Sequence, residues 1–140
     1  MRPADYPALF ELWNSVPGFN RGLRSLDDSE AGIHNFLKRN PQTCFVAEID
    51  NKIIGGILAG HDGRRGYIYH AIVLPEFQGR GIGKQLTNAA CEALRSEGIH
   101  RAGMLVFASY ENRNGFSERQ CLQTRADITY RNKSLNDENR

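Results

Sequence analysis

No apolar run in this chain approaches the ~20 residues that a membrane-crossing helix needs, so no membrane partner is expected. Cysteine is sparse: Cys44, Cys91 and Cys121 are widely spaced and odd in number. No C-x-x-C pair and no Cys/His spacing of a zinc site accompanies them, so no metal is expected, and buried free thiols in a reducing cytosol are the reading. Charge of one sign is also missing. A net charge of +2 is too small to argue for nucleic acid or for a membrane surface. No basic, apolar leader opens the chain: Met1-Arg2-Pro3-Ala4-Asp5 goes directly into a helix start, and the protein is expected in the cytoplasm. There are no repeats, linkers or low-complexity blocks. What remains is an ordinary globular composition, 40% hydrophobic and 24% charged, and 140 residues, which suit one domain around one core.

Asp5 is suited to cap a first helix, with Tyr6, Leu9, Trp13 and Val16 at helical spacing and Pro17-Gly18 as the stop. A polar lead-in over 25–29 opens a second, shorter helix. Its stripe is Ile33, Phe36 and Leu37, with His34 on the solvent side, and Asn40-Pro41 ends it. Residues 44–49 and 53–59 read as a hairpin about a tight turn at Asp50-Asn51-Lys52. The polar loop 60–66 offers His61 and Asp62 as a catalytic dyad, but a connection rich in turn formers is the favoured reading. A strand at 67–74 follows. Next comes a helix with Ile82, Leu86, Ala89, Ala90, Ala93 and Leu94 on one face, closed by Gly98. A strand at 101–107 should run parallel to the strand before it. A short helix at 112–120, a last strand at 127–133 and a frayed tail at 134–140 complete the chain. The order predicts a mixed α/β sheet with helices on both faces.

The most informative stretch joins the strand at 67–74 to the helix. Three glycines fall within five residues, Gly79, Gly81 and Gly83, beside Arg80 and Lys84. Glycines there let backbone N–H groups turn toward one point, and a helix start adds partial positive charge: a cradle for phosphate or pyrophosphate. A Walker A loop, G-x-x-x-x-G-K-S/T, fails on Gln78 and Gln85. The dinucleotide pattern G-x-G-x-x-G fails because these glycines are spaced two and two. A tight turn without ligand would need only one glycine. What is left is Q-x-x-G-x-G: Gln78, Gly81 and Gly83, preceded by Pro75.

That motif, with its strand before and helix after, resembles the acetyl-CoA-binding signature of the GNAT superfamily of N-acetyltransferases. The resemblance covers nearly the whole chain and is most specific over 67–94. The loop 61–67 resembles that of a small bacterial subgroup of RimI-like acetyltransferases. The fold it implies is a mixed, mostly antiparallel central sheet with a parallel β-α-β core. The family's first strand is reduced or missing here, because only Met1 to Pro3 precede the first helix.

The resemblance implies a single N-acetyltransferase domain over 1–140 that moves an acetyl group from acetyl-CoA to a primary amine. The acceptor is a small molecule or a protein, and a homodimer is left open. Backbone groups of Ile72 and Val73 should meet the pantetheine and acetyl group, and the amides of Gln78, Gly79, Arg80, Gly81, Ile82, Gly83 and Lys84 the pyrophosphate. A free strand N–H near Val73 is the oxyanion donor, and splaying of the strands at 67–74 and 101–107 opens the slot. Two positions depart from the family pattern. Tyr110 stands where an asparagine often binds pantetheine, and Asn112 and Asn114 are the substitutes. Ser117, before Glu118, stands where an aromatic often precedes Glu, and Cys121-Leu122 replace Gly-Phe. Tyr110 is then the one side chain expected near the thiolate that can act as its acid; its alternative role is packing. His70 and Glu111 are weighed as bases acting through water, without assignment. Tyr67, Tyr69, His70 and 19–26 are candidates for the acceptor side. The competing reading from another class is a non-catalytic acyl-CoA-binding module or sensor of the same fold.

Overall fold

The computed structural model describes residues 1–106 and 122–140. A residue before proline is driven out of the helical region. Val16 accordingly sits at φ −90°, ψ 116° and ends α1 (Tyr6–Ser15) one residue before Pro17. A 3-10 turn, Phe19–Gly22, leads into the loop before α2 (Glu30–Arg39), whose start is capped by Ser29, its Oγ accepting from the Gly32 N–H at 3.1 Å. Asp50 and Asn51 turn the chain at φ 49° and 60° between β1 (Phe45–Ile49) and β2 (Lys52–Ile57). Asp and Asn tolerate that left-handed region better than other side chains. No strand precedes α1 among the described residues; a 3-10 turn at Pro3–Asp5 leads into it.

The strands expected at 53–59 and 67–74 are each interrupted. The first continues past Leu58 as β3 (Ala59–His61), and the second divides into β4 (Gly66–Ile68) and β5 (Ile72–Val73). The cause lies at Leu58. Its carbonyl accepts from the Tyr69 N–H at 2.9 Å, and its own N–H donates to the His70 carbonyl at 3.3 Å. Two residues oppose one, which is a β-bulge. The side chains record it. Residues 68 and 72 would share a face in a regular strand, yet Ile68 packs into one core cluster and Ile72 into the other.

Among the described residues, two three-stranded sheets result. β1–β2–β5 is antiparallel throughout; in the other, β3 pairs antiparallel with β4, and β4 runs parallel to β6 (Ala102–Met104). The parallel pair is linked through α3 (Ile82–Ser96), the expected β-α-β core. Helices cover both faces. Leu9, Leu12 and Trp13 of α1 and Ile33 and Leu37 of α2 pack on Ile54, Leu58 and Ile72, while Leu86, Ala90 and Leu94 of α3 pack on Ile57, Ala59 and Ile68. Each fully buried Leu or Ile contributes about 1.5–3 kcal/mol relative to exposure.

The strand expected at 127–133 does not form. Ile128 is 57% and Tyr130 63% exposed, and Arg125 forks onto the Asp127 carboxylate through Nε and Nη2, both at 2.7 Å, fixing a turn where the strand should begin. Two alternating apolar residues specify a strand only when a face is there to bury them. Residues 138–140, in the stretch expected to fray, hydrogen-bond to the loop before α2. Ser25 N–H donates to the Arg140 carbonyl at 2.7 Å, and the Asn139 carboxamide bridges Leu26 N–H and the Asp27 carboxylate. The helix expected at 112–120 lies outside the described residues.

The loop before α2 packs tightly against the helix it feeds. A Cβ on Gly32 would lie 2.3 Å from the Leu26 carbonyl oxygen and 2.4 Å from that of Asp27, both backbone atoms. Helix propensity alone favours Gly32→Ala by about 1 kcal/mol. The crowding reverses that sign: Gly32→Ala is expected to destabilise the protein by about 1–3 kcal/mol in urea unfolding. A rise in stability would show that 26–28 does not pack where described.

Candidate active site

The bulge decides what lies open at the centre of the sheet. β4 is paired to β6 only as far as Ile68 opposite Met104, after which β5 pairs with β2. From Tyr69 on, the edge that had faced β6 has no strand partner among the described residues. Consecutive residues of a strand aim their N–H and C=O groups at opposite edges. Leu74 N–H donates to the Ile54 carbonyl at 2.8 Å, so Leu74 and Ile72 face β2 and Val73 faces the open edge. The Val73 carbonyl accepts from Gln78 Nε2 at 2.9 Å. Its N–H is left toward the opening. Of the two residues expected to offer backbone groups, the geometry thus orients Val73 outward and engages Ile72 in the sheet.

The glycine loop sits at the end of β5. A 3-10 turn, Pro75–Phe77, precedes extended Gln78; Gly79 and Gly81 follow at φ 76° and 80°. A Cβ at either glycine would meet nothing within 4 Å. The need for glycine is torsional, and the loop's outer side is open. Gly81 caps α3 without a side chain, and the first helical bond is Gln85 N–H to the Gly81 carbonyl, 3.0 Å. The N–H groups of Ile82, Gly83 and Lys84 precede it and have no carbonyl within the helix to meet. With the helix dipole they give this mouth partial positive charge. Lys84 is exposed. The Arg80 guanidinium lies 5.1 Å over the Phe77 ring and donates to the Glu76 carbonyl at 3.1 Å. Gln78, Gly79, Arg80, Gly81, Ile82, Gly83 and Lys84 are thereby gathered beside Val73. Tyr110, Asn112 and Asn114 lie outside the described residues, as do Glu111, Ser117 and Cys121.

The expected alternatives at the 60–66 loop separate. His61 Nε2 meets Glu97 Oε2 at 2.5 Å, while its Nδ1 accepts from the Gly63 N–H at 3.0 Å. Asp62 Oδ1 accepts from the Arg65 and Arg64 N–H groups, at 2.7 and 2.8 Å, which holds its carboxyl below the usual carboxylate range. His61 and Asp62 form a turn, with no hydrogen bond between the two side chains. Cys44 and Cys91 are free, and burial pushes both thiols up, so they stay protonated and make poor nucleophiles.

One pair emerges only in three dimensions. His70, inside the bulge, places Nε2 2.5 Å from Asp28 Oδ1; the two side chains are 17% and 9% exposed. Asp28 Oδ2 accepts from the Arg24 N–H at 2.6 Å, and its carbonyl accepts from the Tyr6 hydroxyl at 3.0 Å. Trp13 and Phe19 meet the His70 ring edge-on, at centroid distances of 5.0 and 5.5 Å. The buried indole Nε1 of Trp13 has no hydrogen-bond partner among the described residues. His70 is visible in the sequence as a histidine near the glycine loop. Asp28, 42 residues away, carries no signal beyond its place in a polar loop.

The sequence model of the Acetyltransferase (GNAT) family matches residues 6–121. An acetyltransferase of Pectobacterium atrosepticum is 32% identical over 105 residues, covering 75% of this chain and 72% of the relative. One of Yersinia enterocolitica is 28% identical over 125 residues, covering 89% and 86%. In fold, the chain is similar to an aminoglycoside acetyltransferase from a soil metagenomic sample, crystallised with sisomicin. The TM-score is 0.75 at 21% identity, over 97% of this chain and 93% of the other. Ard1 of Thermoplasma volcanium gives 0.70 at 16% identity, over 85% and 76%. Those identities speak for the fold alone.

The torsional account of the loop has a direct check. A Cβ at Gly81 meets no atom within 4 Å, so the loss expected for Gly81→Ala comes from forcing a residue with a side chain to φ 80°. Urea unfolding should show a loss of about 1–2 kcal/mol. An unchanged midpoint would mean that the loop does not hold this conformation in solution.

Proposed function

The chain belongs to the GNAT family of acetyltransferases, and from that premise we propose that it transfers the acetyl group of acetyl-CoA directly to a primary amine. The observation that carries the reading is the union of the open N–H groups of Ile82, Gly83 and Lys84 with the outward N–H of Val73, one loop apart on the same rim. The first set suits a pyrophosphate; the second lies where an acyl oxygen gains negative charge. A thioester arrives already activated, so the protein's work is alignment, charge stabilisation and proton handling. Gln78 supports this by holding the Val73 carbonyl, which fixes the peptide that carries the donor. Asn112 and Asn114 are assigned to the pantetheine, and Tyr110 to protonation of the departing thiolate. The proposal places the reaction in the cytoplasm, where Cys44 and Cys91 remain thiols.

Two measurements test it. Gly83→Val puts a branched side chain among the first-turn amides and should weaken acetyl-CoA binding by an order of magnitude or more in calorimetry, in protein that still melts cooperatively. Lys84→Ala should cost only ~1 kcal/mol, as an exposed charge. Wild-type affinity in the Gly83 variant would overturn the cradle.

Transfer should be read with spermidine and with an alanine tripeptide amide. Only the neutral amine attacks, and an alkylamine with pKa near ~10 is mostly protonated at neutrality. The rate at saturating acetyl-CoA should therefore climb from pH 7 toward the amine's own pKa. A protein that binds acetyl-CoA but acetylates neither amine at any pH would exclude amine transfer and favour an acyl-CoA-binding role.

A further inference from the structure

Resting on that acetyl-transfer reading, we infer that His70 accepts the proton of the attacking amine at Nδ1 and that Asp28 is its positioning residue. Both oxygens of Asp28 are committed, Oδ1 to His70 Nε2 and Oδ2 to the Arg24 N–H. A carboxylate that only accepts fixes the imidazole tautomer: Nε2 carries the hydrogen, and Nδ1 keeps the lone pair. Nδ1 has no hydrogen-bond partner among the described residues. The same carboxylate stabilises the imidazolium that forms once Nδ1 has taken a proton, as in other aspartate-oriented histidines.

Position supports the role. His70 stands in the bulge that opens the sheet, three residues before Val73. That separation spans about 10 Å of extended chain between the two backbones, which the reach of the imidazole and a chain of waters beside the bound amine must cover. Trp13 and Phe19 wall the ring, and the unpartnered Trp13 N–H adds a hydrogen-bond donor to the cluster. Among the described residues, Asp28 is the charged group that meets the ring directly, and the others reach it through Asp28 or Tyr6 or lie next to it in the chain. Asp28 and Arg24 come from the loop before α2, Tyr6 from α1, Glu30 from the start of α2, and Tyr69 from the bulge itself. Arg24 is held to Asp28 through its backbone N–H, while its guanidinium donates to the Leu23 carbonyl. No cation of the described residues competes for Asp28 through a side chain.

The step balances without another reactant. The amine lone pair forms the new C–N bond as the carbonyl π pair moves to oxygen. Collapse breaks the C–S bond and releases the thiolate. Before attack one proton of the bound ammonium passes to Nδ1, directly or through water, and after attack the second N–H proton leaves to solvent. Imidazolium then returns its proton to solvent, from which the thiolate is protonated.

The experiment uses the full chain and two nucleophiles: spermidine, and hydroxylamine, which is already neutral at pH 7. With spermidine at neutral pH, His70→Gln should lower kcat/KM by about 10²-fold, with the gap narrowing as the pH approaches the pKa of the amine. With hydroxylamine it should change little, and acetyl-CoA affinity by calorimetry should hold. Asp28→Asn should act in the same direction. Long-range ¹H–¹⁵N correlation of the wild type at alkaline pH should find hydrogen on Nε2, a preference that Asp28→Asn loses.

Equal loss with both nucleophiles at every pH would reduce His70 to a structural pin and overturn the inference, as would no loss at all. A hydrogen found on Nδ1 in the wild type would overturn it too, whether or not either variant folds. If the wild type binds acetyl-CoA and acetylates neither nucleophile, the transfer reading fails, and the proton-acceptor role fails with it; loss confined to spermidine leaves that reading standing and supports His70.

Discussion

The placing of Tyr69 and His70 together opposite Leu58 is the constraint on which the rest depends. A regular strand from 66 to 74 would have kept β4 and β5 on one register and continued the pairing with β6. The extra residue ends that pairing at Ile68, swings the chain to β2, and leaves the outer edge of Val73 without a strand partner among the described residues. It also exchanges the faces, so that Ile68 is held by the α3 side and Ile72 by the α1–α2 side. Both halves of the interrupted strand are therefore anchored in a core, which makes the opening a stable feature.

The second element is a helix start that the protein leaves unfinished. Most helices satisfy their first N–H groups with a Ser, Thr, Asp or Asn cap, as Ser29 does for α2. α3 begins instead at Gly81, in the left-handed region, with no capping side chain. An uncapped start costs stability and gains polarity: amides of one sign converge where an anion can replace the missing cap. The cost is carried by the 15-residue helix behind it, whose Leu86, Ala90 and Leu94 are buried on the sheet.

The loop between α1 and α2 ties these elements to the other side of the opening. Its Asp28 reaches His70, its backbone crowds Gly32, and Asn139 bonds to Leu26 and Asp27. A segment read from sequence as a polar lead-in, with 19–26 as a candidate for the acceptor side, thus packs against the bulge through Asp28 and His70. The proposed acetyl transfer asks for aligned groups on both sides of one opening, and in that proposal Asp28 of this loop supplies the second side.

Local interactions were legible from the residues themselves. Pro17 ends α1, Ser29 starts α2, Asp50-Asn51 turns β1 into β2, and the spacing of Gly79 and Gly81 marks the loop, because each depends on torsions and bonds within a few positions. The alternation of Ile128 and Tyr130 misled, since period two is only a preference until a second strand and a buried face complete it. The bulge could not be read from 67–74, because the residue that defines it is Leu58, in another strand. The Asp28–His70 pair was hidden for the same reason, with 42 residues between its partners. The sequence by itself determined where elements begin and end and what chemistry the glycine loop can host. Only the tertiary structure decided which strand edges stay open and which carboxylate orients His70, because unpaired edges and buried partners are properties of chain segments brought together, not of either segment alone.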